Sequence, residues 1–207
     1  MLFRSVNYSL YALDVNKART RLLAEDYAVI NNPNYSPDGK RIVYGRYGFP
    51  WTRPRYAGSA ASQIWLLDAQ SGERHPLTTN EFQHLWPRFT PDGKILTVTF
   101  EELTPSSSQL GETVSPIADN PRRTPNLWLY DAKGKAKQLT IFTGGAVRWP
   151  TVASKSGDIA FEYGPDLYVM RKGNSEARKL KLLASADEKQ TTRRREKLTT
   201  GVSEAFW

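Results

Sequence analysis

Apolar and polar residues alternate along much of this chain. The opening stretch MLFRSVNYSLYALD swaps them almost residue by residue. Short runs rich in Val, Ile, Leu, Tyr, Phe and Trp then recur: KRIVYGR (40–46), QIWLLD (63–68), KILTVTFE (94–101), NLWLYD (126–131), DIAFEYG (158–164) and DLYVM (166–170). β-Branched and aromatic residues suit a pleated, half-buried surface. Short strands about ten residues apart, with turn signals between them, predict an all-β fold. No segment sustains the 3.6-residue period of a helix, and the nearest candidate, 183–197, is mostly polar.

The runs repeat in a fixed order. A turn comes first: SPDG at 36–39, TPDG at 90–93 and a looser SKSGD at 154–158. A strand follows, then a second strand ending near an acidic residue, then a short strand containing LT or its equivalent. Asp14 and Asp68 lie 54 positions apart, as do Gly39 and Gly93; Asp68 and Asp131 lie 63 apart, and Gly93 and Gly157 lie 64 apart. The two markers move together, so each copy is a unit that has absorbed insertions, at 47–62 and 102–125. In the turns, Pro37 and Pro91 preset φ, Asp38 and Asp92 suit the next position, and Gly39 and Gly93 accept positive φ.

A repeated four-stranded unit of this size is the signature of a β-propeller blade, which has little core alone and buries its faces on its neighbours. The expected fold is all-β, a β-propeller of four-stranded blades. Three complete blades are expected at about 32–79, 86–140 and 149–182, with a partial blade over 1–31. A basic loop follows at 183–197. Residues 198–207 are expected to start another blade, because LTTGVSEAFW matches the spacing of LTTNEFQHLW from Leu77 to Trp86. Three full blades and partial ones predict an incomplete ring, either a fragment or one that closes through another chain, since a closed ring leaves no strand edges exposed.

The order SPDGK, IWLLD, GE, LT resembles the blades of TolB-type propellers. It is also similar to the N-terminal propellers of tricorn-protease-like serine peptidases and to propellers fused to some amidohydrolases. The stretches GGAVRWPTVASKSGDIAFEYGPDLYVM (144–170) and RRREKLTTGVSEAF (193–206) look most like the tricorn-like group. That resemblance implies a non-catalytic segment that guides or binds peptides, with the remaining blades and a catalytic domain elsewhere in a larger protein. The alternatives are a TolB-like protein–protein interaction module and an amidohydrolase fusion. The resemblance also implies a periplasmic or secreted protein, with a cytoplasmic one left open.

Composition narrows the chemistry. The 207 residues are 39% hydrophobic and 24% charged, as in ordinary core-burying domains. No window approaches eighteen apolar residues, so no membrane insertion is expected. The charge of +8 is modest for a nucleic-acid binder, and none is expected as a partner. There is no cysteine, hence no disulfide or thiolate chemistry. His75 and His84 are the only histidines and stand in no metal-ligand spacing. No HExxH, GxSxG or phosphate-loop motif occurs. No catalytic residue, metal or cofactor is therefore assigned. Glu101 and Glu102, adjacent on a strand, point to opposite faces and do not form an acid–base pair.

The insertions carry the candidate ligand-binding residues. Trp51, Arg53, Arg55 and Tyr56 lie in the first, and Arg122 and Arg123 in the second. In a four-stranded blade these loops share one end of the propeller with the blade-to-blade loops, where His84 and Arg148 are expected. Long loops on a rigid scaffold commonly bind, and arginine grips carboxylates with two parallel hydrogen bonds. A peptide or protein ligand is the expected partner. Packing onto neighbouring blades is the competing reading of the same residues. The pairs Trp86–Pro87 and Trp149–Pro150 recur at matching places, and repetition favours a structural role between blades.

Overall fold

The computed structural model describes residues 8–47, 53, 56–100, 124–174 and 176–182. Every regular element among them is a strand. Strands β1 (Tyr8–Asp14) and β2 (Arg19–Asp26) pair as a two-stranded ribbon. Three four-stranded antiparallel meanders follow. The first contains β3 (Ile30–Tyr35), β4 (Arg41–Arg46), β5 (Gln63–Asp68) and β6 (Arg74–Pro76). The second contains β7 (His84–Phe89), β8 (Ile95–Thr99), β9 (Asn126–Tyr130) and β10 (Ala136–Gln138). The third contains β11 (Val147–Val152), β12 (Ile159–Tyr163), β13 (Asp166–Met170) and β14 (Ala177–Lys179). This is the blade architecture of a β-propeller, present as an arc of three full blades and part of another.

The core lies between sheets, not within them. Leu23 and Ala24 of β2 pack with Ile42, Tyr44 and Leu67 of the first full blade. That blade's opposite face, with Val43, Ile64 and Leu66, meets Phe89, Ile95, Trp128 and Tyr130 of the next. Leu96, Val98, Phe100 and Leu127 then meet Val147, Ile159, Phe161 and Met170. Successive residues of one strand therefore feed two different cores. Both faces are covered, so β8 is buried throughout and reads as an apolar run with two threonines.

The hairpin turns follow their chemistry. Ser36 Oγ donates to Asp38 Oδ1 at 2.5 Å and accepts from Arg41 N at 2.9 Å. Thr90 Oγ1 does the same with Asp92 Oδ1 at 2.6 Å and Lys94 N at 3.1 Å. Gly39 and Gly93 have φ of 68° and 78°, the left-handed region that glycine enters without steric cost. In the third turn Ala153 replaces the hydroxyl residue, and Asp158 serves the neighbouring hairpin instead. It accepts from Lys172 N at 3.0 Å and pairs with Arg171 at 2.5 Å. Arg171 stands where the other copies carry Asp68 and Asp131, whose carboxylates accept Gln70 N and Lys133 N. The acidic residue has changed strand but still caps that hairpin.

Each innermost strand carries a bulge before a proline. Register shifts fall between Asn31 and Asn34, Leu85 and Arg88, and Arg148 and Thr151. Asn32, Trp86 and Trp149 take φ of 50°, 52° and 45°. Non-glycine residues in this region are uncommon. The Trp–Pro pairs thus mark a conformation, and the third described member is Asn32–Pro33. Trp86 is buried with Trp149 of the next blade at 6.0 Å between centroids. Trp149 itself is exposed.

Candidate functional site

The first insertion and the following blade-to-blade connection meet at one end of the sheets. Gln63 Nε2 donates to Asn80 O and Phe82 O, both at 2.9 Å. Gln83 Nε2 donates to Arg53 O at 2.6 Å, and His84 N to Ser62 O at 2.9 Å. The next blade repeats the tie: Asn126 Nδ2 donates to Phe142 O at 3.0 Å, and Phe142 N returns to Asn126 Oδ1 at 2.7 Å. An amide at the start of each of these third strands staples the loop leading to the next blade.

The expected site residues fare differently. Trp51, Arg55, Arg122 and Arg123 lie outside the described residues. Arg53 is exposed at this end, with its carbonyl engaged by Gln83. Tyr56 is half-buried, its hydroxyl accepting from Ala60 N at 3.4 Å. Arg148 is half-buried with its guanidinium 5.7 Å from the Trp149 ring centre.

His84 differs from the expectation of a loop residue open to ligand. It begins β7 and is wholly enclosed. Asn80 Oδ1 accepts Phe82 N at 3.1 Å, which fixes that atom as the amide oxygen. His84 Nε2 must then donate to it, at 2.8 Å. Nδ1 is left as the acceptor for Thr99 Oγ1 at 3.0 Å, with Tyr130 OH at 3.4 Å. Burial pushes the imidazole down to a pKa of about 3, so it is neutral at physiological pH.

A cleft of about 440 Å³ opens at the equivalent junction one blade earlier, lined by Glu25, Asp26, Tyr27, Arg46, Trp65 and Arg74. It lies where β2 runs into the connection to β3 and where β4 gives way to the first insertion. Arg46 grips Asp26 with Nε at 2.8 Å and Nη2 at 3.1 Å, and Arg74 Nη1 adds a contact at 3.2 Å. The Arg46 guanidinium also lies over Tyr47, Trp65 and Tyr27, at 4.6, 5.1 and 5.3 Å from the ring centres. Burial pushes the Asp26 carboxyl up. The hydrogen bonds from Arg46 and Ala28 N, with the charges of both arginines, outweigh burial and hold it below the usual range. Sequence spacing does not bring these residues together, because Asp26 and Arg74 are 48 positions apart. Among the described residues no cluster of three His, Asp or Glu side chains is arranged to hold a metal.

The fold is that of TolB-type propellers. TolB from Acinetobacter baumannii superposes with a TM-score of 0.59 at 17% identity, over 83% of this chain and 37% of that one. Puromycin hydrolase gives 0.54 at 19% identity, over 80% of this chain and 24% of that one. In sequence, the uncharacterized peptidase YuxL of Bacillus subtilis (strain 168) is 31% identical over 67 residues, which is 32% of this chain and 10% of that protein. The chain thus spans only a fraction of the proteins it matches. No protein-family model matches it.

Proposed function

We propose that the chain is a non-catalytic propeller segment of a serine peptidase, and that it holds or guides peptides for a catalytic domain elsewhere in the same protein. The observation that carries this reading is the 31% identity with the peptidase YuxL. The fold shared with part of puromycin hydrolase supports it. The end of the blades that carries Arg53, Tyr56 and the arginine cleft is the proposed peptide-facing surface, with Trp51, Arg55, Arg122, Arg123 and Arg148 as further contributors. By likeness to TolB-type propellers, the protein works in the periplasm or outside the cell.

A second reading, a TolB-like module that binds partner proteins with no enzyme attached, is supported by the match to TolB. The size of the natural product separates the two. An antibody raised against this segment should detect a protein several times heavier than 23.5 kDa that hydrolyses peptides. A product near that mass, or a larger one without peptide hydrolysis, overturns the peptidase reading. Cell fractionation with the same antibody tests the location.

A further inference from the structure

Strands β3, β7 and β11 are the innermost of their sheets. Each has one edge without a strand partner among the described residues, and the three lie side by side, so they line the side of the arc towards which the sheets converge. Their sequences are INNPNY, HLWPRF and VRWPTV. Together they carry two arginines, three asparagines and a threonine, and no acidic residue. In β7, covered by blades on both sides, every residue is buried except Arg88. Arg88 is the one residue of that strand left partly exposed, and its guanidinium crosses from its own blade to the backbone of β3.

Arg88 has no carboxylate partner among the described residues. Its Nη1 donates to Pro87 O at 2.9 Å and, across the blade boundary, to Asn32 O at 3.3 Å. Burial alone acts on it and lowers its pKa, with no opposite charge to offset that cost. The contrast with Arg46 is direct: that arginine is also largely withdrawn from water but holds Asp26 with two hydrogen bonds. A half-buried guanidinium supplied only with backbone carbonyls retains unused planar donors and an uncompensated charge. Both carbonyls belong to the bulged segments, where Asn32 and Trp86 have positive φ. The bulges therefore fix where the guanidinium sits.

We infer that Arg88 anchors a carboxylate of a ligand lying along the axis side of the three inner strands. Asn34 and Thr151 occupy the positions equivalent to Arg88 in the flanking blades, since each is the first paired residue after its bulge. The carboxylate specificity therefore rests on one blade, with neutral polar groups on either side. That the carboxylate belongs to a peptide rests on the peptide-handling reading; the anion site itself rests on Arg88 alone.

The test is titration calorimetry of the complete chain with acetyl-Ala-Ala bearing a free C-terminal carboxylate. The C-terminal amide of the same peptide and inorganic phosphate are run beside it. The carboxylate form should bind, the amide should bind roughly tenfold more weakly or not at all, and R88Q should lose the difference between them. Equal binding of acid and amide, or of acid to wild type and to a folded R88Q, overturns the inference. Phosphate that displaces the peptide at equal concentration overturns the assignment to a carboxylate. If R88Q does not fold, R88K gives the reading: it keeps the charge without the planar fork, so the acid should bind several-fold more weakly, and unchanged affinity overturns the inference. A full-length product without peptidase activity leaves these results intact, so the two readings fail separately.

Discussion

Two blade junctions occupy equivalent places and solve the same problem with opposite chemistry. At the first, Asp26 leaves β2 and its Oδ1 accepts Ala28 N at 2.9 Å; at the second, Asn80 accepts Phe82 N at 3.1 Å in the same turn. The cross-strand pair above each turn is Ile30 with Arg46 in one blade and His84 with Thr99 in the next. The long polar side chain has moved from the second strand to the first. At the earlier junction the ribbon of β1 and β2 leaves a cleft, water reaches Arg46 and Arg74, and a carboxylate with two arginines is sustained. At the later junction full blades close over His84, and every partner is neutral. Solvent access decides whether the staple is ionic, because a charge sealed from water costs several kcal/mol unless it is paired and hydrogen-bonded.

Removing the carboxylate should have the largest effect. D26A strips the turn of its cap and leaves two arginines facing each other, one of them largely buried. The expected loss is about 3 kcal/mol of unfolding free energy, read from urea denaturation. D26N keeps the cap and imitates Asn80, so it should lose clearly less. Equal losses from the two variants would mean that charge pairing contributes nothing and that the junctions are energetically alike.

Acid separates the junctions next. The folded pKa of His84, about 3, lies below its ordinary 6.5, so the unfolded chain takes the proton more readily. This contribution to stability is complete above pH 6.5 and falls away as the pH drops from there towards 3. At about pH 5 the loss should be about 2 kcal/mol. Asp26, also lowered, gives up its contribution only below its ordinary 3.8. Between those values His84 titrates while Asp26 keeps its charge. H84Q should remove that part of the pH dependence of the urea midpoint, and a slope unchanged in H84Q would show that His84 is not kept neutral by the fold.

A smaller effect tests the hydrogen bonds inside the closed junction. T99V keeps the volume and removes the hydroxyl that donates to His84 Nδ1. The acceptor is left with Tyr130 OH at 3.4 Å, and the expected cost is about 1 kcal/mol. A loss as large as that from D26A would mean that the neutral network is as strongly coupled as the ionic one.

How much of this the sequence discloses depends on whether a feature is local. The PDG turns, the LT strand ends and the 54-residue spacing are local chemistry repeated, and they lead directly to blades. The threonine of LT ties the end of the outer strand back to the third strand. Thr78 and Thr140 Oγ1 accept Ile64 N and Leu127 N, each at 2.9 Å. The junctions are not local. The turn at 36 spans one residue more than the turn at 90, since Ser36 closes on Arg41 but Thr90 on Lys94. Counting from the glycines therefore aligns Arg46 with Phe100, whereas the strand pairing aligns it with Thr99. Asn32 shares no side-chain chemistry with Trp86 and Trp149; only the following proline and the positive φ unite them. His84 looks like a loop residue by position, and its enclosure comes from Asn80, Thr99 and Tyr130, which reach it from two other strands and a loop.

The smallest expected effect concerns the outer arginine of the open junction. Arg74 Nη1 meets Asp26 Oδ2 at 3.2 Å, but its side chain is 33% exposed, and Arg46 already holds both carboxylate oxygens. Exposed pairs contribute at most about 1 kcal/mol, so R74Q should cost less than that at low salt. Its effect should vanish near 1 M salt, where the screening length falls to about 3 Å. Among the described residues the closed junction has no ion pair to screen, so the cost of T99V should not change with salt. If the loss from R74Q persists at high salt, Arg74 acts through packing of its stem against the cleft wall. The earlier junction would then owe its stability to burial, as the later one does, and the contrast between them would reduce to geometry.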